Sequence, residues 1–384
     1  VICGGEALKT RMKAVQTKRP LDWGPADPNV APKTGADYVT PLAARYRLTQ
    51  PSQIYPLYEN AFREKLGQSL EVAQRESAEL WSQLSRVAAT NETAWTGRPH
   101  TPEQIAQTSP DNRLIAFPYP KLMNAQLGVN QACALLVVDI AVARAAGIAD
   151  ARMIHIGAAV RAVEPGDFLA RDRFDHAAAQ EEVLASVLSV NRVSASDIDL
   201  AELYSCFPIV PKMARRLIGL RSDIASSVTG GLTFFGGPAN NYMTHAVAAV
   251  VRALRQGKGR KALLYGQGEF VTKHAAIVLR CDAGGVSSEL RSVQAGAEAR
   301  RGPIPPLLEE YRGPAILETY TILFDRNGEP EWAPVVLRTP QGDRVLAAAA
   351  CHDTIAFLLR AQPGTIGASG MVDSDEAGLL RWTY

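Results

Sequence analysis

The sequence predicts an α/β protein that carries a second, all-β domain at its C-terminal end. From Ala132 to Cys281, apolar strand-like runs alternate with segments of helical periodicity, which is typical of layered α/β folds. From Ala315 onward, short strand-like segments are separated by turns such as "RNGEP" and "TPQGD". With 384 residues, of which 47% are hydrophobic, the chain has enough apolar material for two or three domains.

The N-terminal part combines a strand end with a polar insertion. "VICGGEAL" resembles the end of a buried strand followed by a glycine turn, and no initiator methionine or signal peptide precedes it. We therefore expect the N-terminal part of the fold to be missing from this chain or supplied by another polypeptide. Residues 17–113 are rich in polar residues and predict an inserted loop domain, with one amphipathic helix from about Ser69 to Ala89.

The core elements follow in alternating order. "ACALLVVD", from Ala132 to Asp139, predicts a fully buried strand, and "AVARAAG" a short helix that ends at Gly147. The remaining core predictions are strands near 153–159, 199–204, 262–265 and 275–281, and helices near 175–188, 211–220 and 242–255.

The C-terminal segment predicts a small antiparallel barrel. Barrels of this kind include folds that bind oligonucleotides through basic grooves. Residues 314–384 contain five arginines, no lysine and nine carboxylates, a formal net charge of −4. This charge disfavours nucleic acid as a ligand and favours a packing module or a docking surface for a protein partner.

Composition narrows the class of protein further. The net charge of +2 gives no field that would recruit nucleic acid or an anionic membrane, and no apolar run reaches the roughly 20 residues of a membrane span. The five cysteines form no CxxC pair and no cluster with metal-ligand spacing. We expect reduced thiols, no metal and a cytoplasmic location.

The stretch "GGLTFFGGPANNYMTHA", from Gly230 to Ala246, is the most distinctive motif. A glycine-rich turn before a helix can present backbone N–H groups to an oxyanion, a carboxylate or a phosphate. The plainer interpretation is a tight connection between two elements. His245, on the helix that follows, is expected to be packed or at the surface rather than catalytic.

The chain resembles the thiolase superfamily over nearly all of residues 1–283, in particular sterol-carrier-type thiolases and thiolase-like proteins. The segments that carry the resemblance are "CGGEAL", "NRLIAFPYPKLMNAQLGVNQACALLV", "DLAELYSCFPIV", the glycine loop and "LLYGQGEF". The C-terminal segment, with "LETYTILFDRNGEP", resembles the extra barrel of thiolase-like proteins of type 1. The resemblance implies a five-layered fold with an incomplete N-terminal half. It divides the chain into the remainder of that half (1–16 and 114–150), a loop domain (17–113), a C-terminal half (151–284), a linker (285–313) and the barrel (314–384).

The resemblance also implies four catalytic pieces, and three visible positions depart from it. The nucleophilic cysteine of the family would precede Val1, so its identity is not readable. Ala262 stands where the family has an acid/base cysteine, and Gly237 where it has a histidine. Tyr204, Ser205 and Cys206 occupy the motif that orients water or substrate, and they are the remaining catalytic candidates. Ordinary thiolysis is therefore not expected.

Coenzyme A or an acyl-CoA is the ligand that the resemblance implies, with no covalently bound cofactor. The candidate binding residues are Lys121, Asn124 and Gln126, with Arg98 and Arg113 for phosphates. Two hypotheses stay open. Either the protein binds an acyl-CoA or a partner protein without ordinary thiolase catalysis, or it is an acyltransferase or a retro-aldol lyase acting on CoA thioesters, with Tyr204 as the acid/base of the lyase. The alternative to a catalytic role is that Cys206 is a buried thiol and Tyr204 a hydrogen-bonded phenol of the core.

Overall fold

The elements before residue 151 fall in the predicted loop domain and in the remainder of the N-terminal half. A computed structural model describes residues 1–24, 27–30, 35–285 and 287–384, so parts of the predicted loop domain (25–26 and 31–34) and linker (286) lie outside the described residues. The elements up to residue 150 are β1 (Ile2–Glu6), α1 (Leu8–Thr17), α2 (Pro41–Arg45), α3 (Pro51–Lys65), α4 (Leu70–Ala89), α5 (Pro102–Ala106), β2 (Leu114–Ala116), β3 (Tyr119–Pro120), β4 (Gln131–Leu135) and α6 (Ile140–Ala145).

Helix α4 confirms the amphipathic helix of the loop domain. The Ser69 side chain accepts a hydrogen bond from Val72 N at 3.3 Å, which caps the first turn. Trp81 and Leu84 are fully buried on one face. Burial of this apolar stripe against α5 and the glycine loop stabilises the helix more than its intrinsic propensity does.

The prediction of a fully buried strand at Ala132 to Asp139 is wrong. Strand β4 ends at Leu135 and pairs antiparallel with β1 in a two-stranded sheet, and Leu136 is 75% exposed. Cys133 faces α10, whose Thr244 carbonyl lies 3.5 Å from its Sγ, whereas Ala132 and Ala134 on the other face are exposed. A strand covered on one face alternates in burial, and the continuous apolar run did not reveal this.

The C-terminal half is built around one mixed sheet. Its elements are β5 (His155–Val163), α7 (Ala178–Val190), β6 (Leu200–Leu203), α8 (Ile209–Ile218), α9 (Gly231–Phe234), α10 (Tyr242–Arg255), β7 (Lys261–Gly268), β8 (Lys273–Arg280) and β9 (Leu290–Ser292). The strand order is β6-β7-β8-β5-β9, with β6 parallel to β7 and β5 parallel to β9. The predicted core strands and helices are all present, with boundaries shifted by a few residues.

The C-terminal segment closes into the predicted barrel. The elements are α11 (Gln294–Arg300), β10 (Leu307–Leu308), β11 (Gly313–Tyr320), β12 (Leu323–Phe324), β13 (Pro330–Trp332), β14 (Pro334–Arg338), β15 (Arg344–Ala349), α12 (His352–Arg360), β16 (Ser369–Ser374) and β17 (Leu380–Thr383). Strands β15, β14, β11, β16 and β17 pair in that order, and β17 pairs back to β15. The segment predicted as a linker contains β9, which extends the core sheet, together with α11 and β10.

Hydrogen bonds join the barrel to the β2–β3 hairpin and to helix α3 of the loop domain. Strands β13, β12, β2 and β3 form one four-stranded sheet, so a hairpin from each unit contributes to it. Phe117 N donates to the Ile322 carbonyl at 2.8 Å, and Asn60 Nδ2 donates to the Tyr320 carbonyl at 2.9 Å. The barrel therefore holds both α3 and the β2–β3 hairpin.

A second junction ties the barrel to the C-terminal half. The Arg344 guanidinium, fully buried, contacts the Glu318 carboxylate at 2.6 and 2.9 Å. It also donates to the carbonyls of Leu169 and Arg171, each at 2.5 Å. In this way every hydrogen-bonding edge of the guanidinium is used inside the protein.

Neither a membrane-spanning helix nor a metal-binding cluster is found in the described part of the chain. No helix among the described residues is long and apolar enough to cross a lipid bilayer. No group of three or more His, Cys, Asp or Glu side chains in the same residues is placed to hold a metal ion.

Candidate functional site

The main candidate site is a cavity of about 800 Å³ between the loop domain and the C-terminal half. The loop domain contributes α3 and the segment around residue 100, and the β2–β3 hairpin leads into the segment 121–127 that forms one wall. The rest of the lining comes from the end of β6, from the turn between β7 and β8, and from the glycine loop, whose Gly237 N donates to the Gln126 carbonyl of the neighbouring wall. The sheet of the C-terminal half thus forms the floor of the cavity, and the loop domain covers it.

Six of the sequence-predicted site residues lie together in this cavity: Tyr204, Cys206, Gly237, Lys121, Asn124 and Gln126. Ser205 is fully buried and does not line the cavity. Its Oγ has no hydrogen-bond partner among the described residues, and a Cβ built at Gly231 would lie only 2.7 Å from it. Arg113 lines a separate cavity of about 460 Å³ together with Arg326 from the barrel.

Tyr204 follows the last residue of β6, and its ring packs edge-on against Tyr242 with centroids 5.6 Å apart. Its backbone N–H donates to the Tyr265 carbonyl at 3.0 Å, which anchors the residue to β7. Burial raises the pKa of its phenol above the usual value, and the nearby Cys206 makes a smaller contribution in the same direction. Its hydroxyl has no hydrogen-bond partner among the described residues, so it is a protonated donor available to a ligand.

A buried carboxylate positions the ring that supports Tyr204. Glu202, in β6, accepts hydrogen bonds from the Tyr242 hydroxyl at 2.7 Å, from Ser227 Oγ at 2.9 Å and from two backbone N–H groups. Burial raises the pKa of this carboxyl, although its hydrogen bonds act in the opposite direction. The network connects β6, the start of the glycine loop and α10, and so holds Tyr242 against Tyr204.

Cys206 is buried at the floor of the cavity. Burial raises the pKa of its thiol to about 12, so the thiol stays protonated at neutral pH. The next residue, Phe207, stacks on Tyr55 of the loop domain with ring centroids 4.5 Å apart. The Tyr55 hydroxyl in turn lies 2.6 Å from the Glu269 carbonyl oxygen, which links the loop domain to the β7–β8 turn.

The glycine loop uses its backbone donors internally. Ser227 Oγ accepts from Gly230 N at 2.9 Å and from Gly231 N at 3.1 Å. Gly237 N donates to the Gln126 carbonyl at 2.8 Å, so this N–H does not point at a ligand. Of the two interpretations of this motif, an oxyanion site is therefore not seen at those three glycines. The loop instead shapes one wall of the cavity.

The structure adds cavity residues that sequence reasoning missed. Tyr55, His100 and Glu269 all line the cavity. Glu269 has a φ of 55°, in the left-handed region that a residue with a Cβ rarely adopts, and its carboxylate contacts Lys273. The segments "SQIYPLYE" and "GRPH", which contain Tyr55 and His100, carry no local signal for a site, because only the folding of the loop domain brings these residues to the cavity.

His245 does not line the cavity, as expected from the sequence. It is buried on α10, where Asn241 Nδ2 lies 3.1 Å from its Nε2 and its ring packs edge-on against Phe235. Ala262 is fully buried within β7 and also lies outside the cavity lining. Neither residue supplies an acid or a base to this site.

Comparison with known proteins identifies the architecture. Residues 296–377 match the family model described as the thiolase-like protein type 1 additional C-terminal domain. The crystal structure of a monomeric SCP2-thiolase like protein type 1 from Mycobacterium smegmatis is 29% identical with a TM-score of 0.80, over 91% of this chain and 76% of that one. The chain has a thiolase-like fold. The predicted resemblance and the predicted C-terminal barrel are thereby confirmed.

A second solved structure extends the comparison at the level of the fold. The thiolase-like chain matches a structure entitled "Ltp2-ChsH2(DUF35) aldolase" with a TM-score of 0.51 and 20% identity, over 72% of this chain and 78% of that one. No curated protein matches the sequence.

The chemistry available in this thiolase-like cavity follows from its protonation states. Tyr204 and Cys206 are protonated at neutral pH, and Lys121 is an exposed cation at the cavity mouth. The Oδ1 atom of Asn124 is buried without a hydrogen-bond partner in the described residues, while its Nδ2 donates to the Pro120 carbonyl. An unpaired buried acceptor is costly, so a donor that reached this oxygen would stabilise the cavity wall.

Proposed function

We propose that this thiolase-like protein binds coenzyme A or an acyl-CoA in the cavity and does not carry out ordinary thiolysis. The observation that carries the proposal is the unpaired Oδ1 atom of Asn124 in a cavity wall that ends at the exposed Lys121. Pantetheine has two amide N–H groups that such an acceptor can bind, and the phosphates of coenzyme A favour a cation at the mouth. Gln126 supports this wall, since its N–H donates to the Leu232 carbonyl.

Three positions support the proposal that ordinary thiolysis does not occur. Gly237 has no imidazole, Ala262 has no thiol, and Cys206 is held as a neutral thiol by burial. General acid/base groups each contribute about 10²–10⁴-fold to such reactions, which backbone amides do not replace. Acyl transfer through Cys206 is not favoured for the same reason. The free cysteines among the described residues agree with a reducing, cytoplasmic location for this binding.

The test is a calorimetric titration of the protein with coenzyme A and with acetoacetyl-CoA, while thioester absorbance is followed with excess coenzyme A. We expect binding without turnover. Lys121→Gln should weaken binding by about 5–10-fold at low salt, because one phosphate contact is lost. Lys258→Gln, at an exposed lysine outside the cavity, is the charge-matched control and should bind like the unmodified protein. Absence of binding would contradict the proposal, and thiolysis would contradict its second part.

A second function, retro-aldol cleavage of a β-hydroxyacyl-CoA, is favoured by the free hydroxyl of Tyr204 in the cavity. In such a cleavage the Cα–Cβ bond breaks, its electron pair forms the enolate, and the β-hydroxyl becomes a carbonyl as it loses its proton. A protonated phenol can donate a proton to the enolate carbon, and the proton from the β-hydroxyl restores the phenol. One solved structure that shares the fold is entitled an aldolase, which is a statement about that protein. Release of a carbonyl product from a β-hydroxyacyl-CoA would test this function directly.

A further inference from the structure

His100 is the only imidazole that lines the cavity in the part of the chain that the structure describes. Its backbone is held on both sides by serines of α4. His100 N donates to Ser85 Oγ at 2.9 Å, and Ser82 Oγ donates to the His100 carbonyl at 2.7 Å. Its ring stacks on Phe234 of the glycine loop, with centroids 5.5 Å apart and planes 30° apart. The ring is therefore fixed against the cavity wall rather than free in solvent.

The two ring nitrogens of His100 have no hydrogen-bond partner among the described residues. His274, which is buried, differs in this respect. His274 lies 2.7 Å from the Tyr265 hydroxyl through Nδ1 and 3.3 Å from the Val271 carbonyl through Nε2, so both nitrogens are engaged. Burial and the charge of Arg98 lower the pKa of His100. The ring is therefore neutral near pH 7, and its free nitrogens have lone-pair or N–H positions open to a ligand, although the lowered pKa makes it a weaker base than a solvated imidazole.

We infer that His100 is a base that removes a proton from the α-carbon of a bound thioester, while the Tyr204 hydroxyl hydrogen-bonds to the thioester oxygen. This inference rests on the proposed binding of an acyl-CoA in the cavity. The Cα–H bond breaks, its electron pair forms the enolate, and the proton moves to the imidazole nitrogen. Return of a proton from the imidazole to Cα regenerates the thioester. No oxidant, reductant or second substrate is needed.

The His100 imidazole and the Tyr204 hydroxyl are the two kinds of group that abstraction of an α-proton needs. Proton abstraction next to a carbonyl needs a base that is neutral before reaction and a donor that meets the charge developing on oxygen. Environments that push two pKa values apart produce such an acid and base in one site. The inference places an imidazole on the loop-domain wall, against Phe234 of the glycine loop that contains Gly237.

The test is deuterium exchange into butyryl-CoA at the α position in D₂O, followed by NMR. We expect the intact protein to catalyse exchange and His100→Gln to slow it by about 100-fold or more. Tyr204→Phe should also slow exchange, whereas His352→Gln, at an exposed barrel histidine, should leave it unchanged. Because a variant can fail to fold, the His100 ring resonance of the unmodified protein is followed as well, and it should shift when butyryl-CoA is added.

The outcomes separate this inference from the proposed function. Equal exchange rates for a folded His100→Gln variant and the unmodified protein would overturn the assignment of His100. Calorimetric binding of butyryl-CoA with no exchange in the unmodified protein would overturn the inference and leave the proposed function standing. Failure to bind coenzyme A and butyryl-CoA would overturn both.

Discussion

Burial determines what each side chain of the cavity floor can do. The three residues after β6 share one backbone segment, yet their side chains have different environments. Tyr204 presents a hydroxyl to the cavity, Ser205 is enclosed behind it, and Cys206 is a buried thiol. Since thiolate, not thiol, is the nucleophile, the Cys206 environment removes the property that would make this residue catalytic.

Thiol alkylation tests this effect at the residue scale. With its pKa raised to about 12, Cys206 has about one thiolate in 10⁴ molecules at pH 8, so iodoacetamide should leave it unlabelled in the folded protein. Cys351 is exposed, and a hydrogen bond with Thr354 lowers its pKa, so it should be labelled first. Mass spectrometry of native and urea-unfolded samples measures the difference. Equal labelling rates in the native protein would contradict the assignment.

At the scale of elements, one buried ion pair connects three helices beneath the cavity. Lys212 of α8 contacts the Glu59 carboxylate of α3 at 2.5 Å and Ser77 Oγ of α4 at 3.1 Å. The Tyr119 hydroxyl donates to the same carboxylate at 2.6 Å. The ion pair and its hydrogen bonds therefore fasten two loop-domain helices to a helix of the C-terminal half.

Replacement of one partner should cost more than replacement of both. Lys212→Met leaves the Glu59 charge buried with only the Tyr119 hydroxyl, and should destabilise the fold by about 3–5 kcal/mol. The double variant Glu59→Met with Lys212→Met should be more stable than Lys212→Met alone, because no unpaired charge remains. Urea unfolding of the single and double variants provides the free energies. Additive losses would show that the pair is not coupled.

The sequence predicted whether most segments are helices or strands. It predicted less well which of these elements are buried. Helix α4 has a capping serine and a regular apolar stripe, so its position in the sequence could be predicted. The burial of residues 132–139 could not be predicted from the sequence, because it depends on which elements cover the strand. Helix α12 was not predicted: it is short, and its end at Ala361, with a φ of 47°, lacks the usual glycine. The cavity positions of Tyr55 and His100 depend on tertiary contacts, which no local pattern contains.

At the scale of the whole molecule, the barrel is an internal brace. It contacts α3 and the β2–β3 hairpin on one side, and the carbonyls of Leu169 and Arg171 on another. These surfaces are used within the chain and are therefore not open to a partner protein. A docking role of the barrel, which the acidic composition suggested, would fall to its remaining exposed surface.

Substitution of Arg344 measures the strength of this brace. Arg344→Lys keeps the charge but loses the planar fork that reaches Glu318 and the two carbonyls, and should destabilise the fold by about 2–4 kcal/mol. Arg326→Lys, at an exposed arginine of the barrel, is the control and should change stability by less than about 0.5 kcal/mol. Hydrogen exchange should increase at residues 167–175 in Arg344→Lys. Unchanged exchange there would contradict a bracing role.

The sheet that the barrel shares with the β2–β3 hairpin has a consequence for self-association. Strand β12 covers the edge of β2 through the Leu323–Ala116 pair and the Ile322 carbonyl. Without β12, β2 would present unpaired N–H and C=O groups to solvent, which is the kind of edge that recruits strands from other molecules. The barrel thus protects the β2–β3 hairpin against aggregation as well as supporting the wall of the cavity.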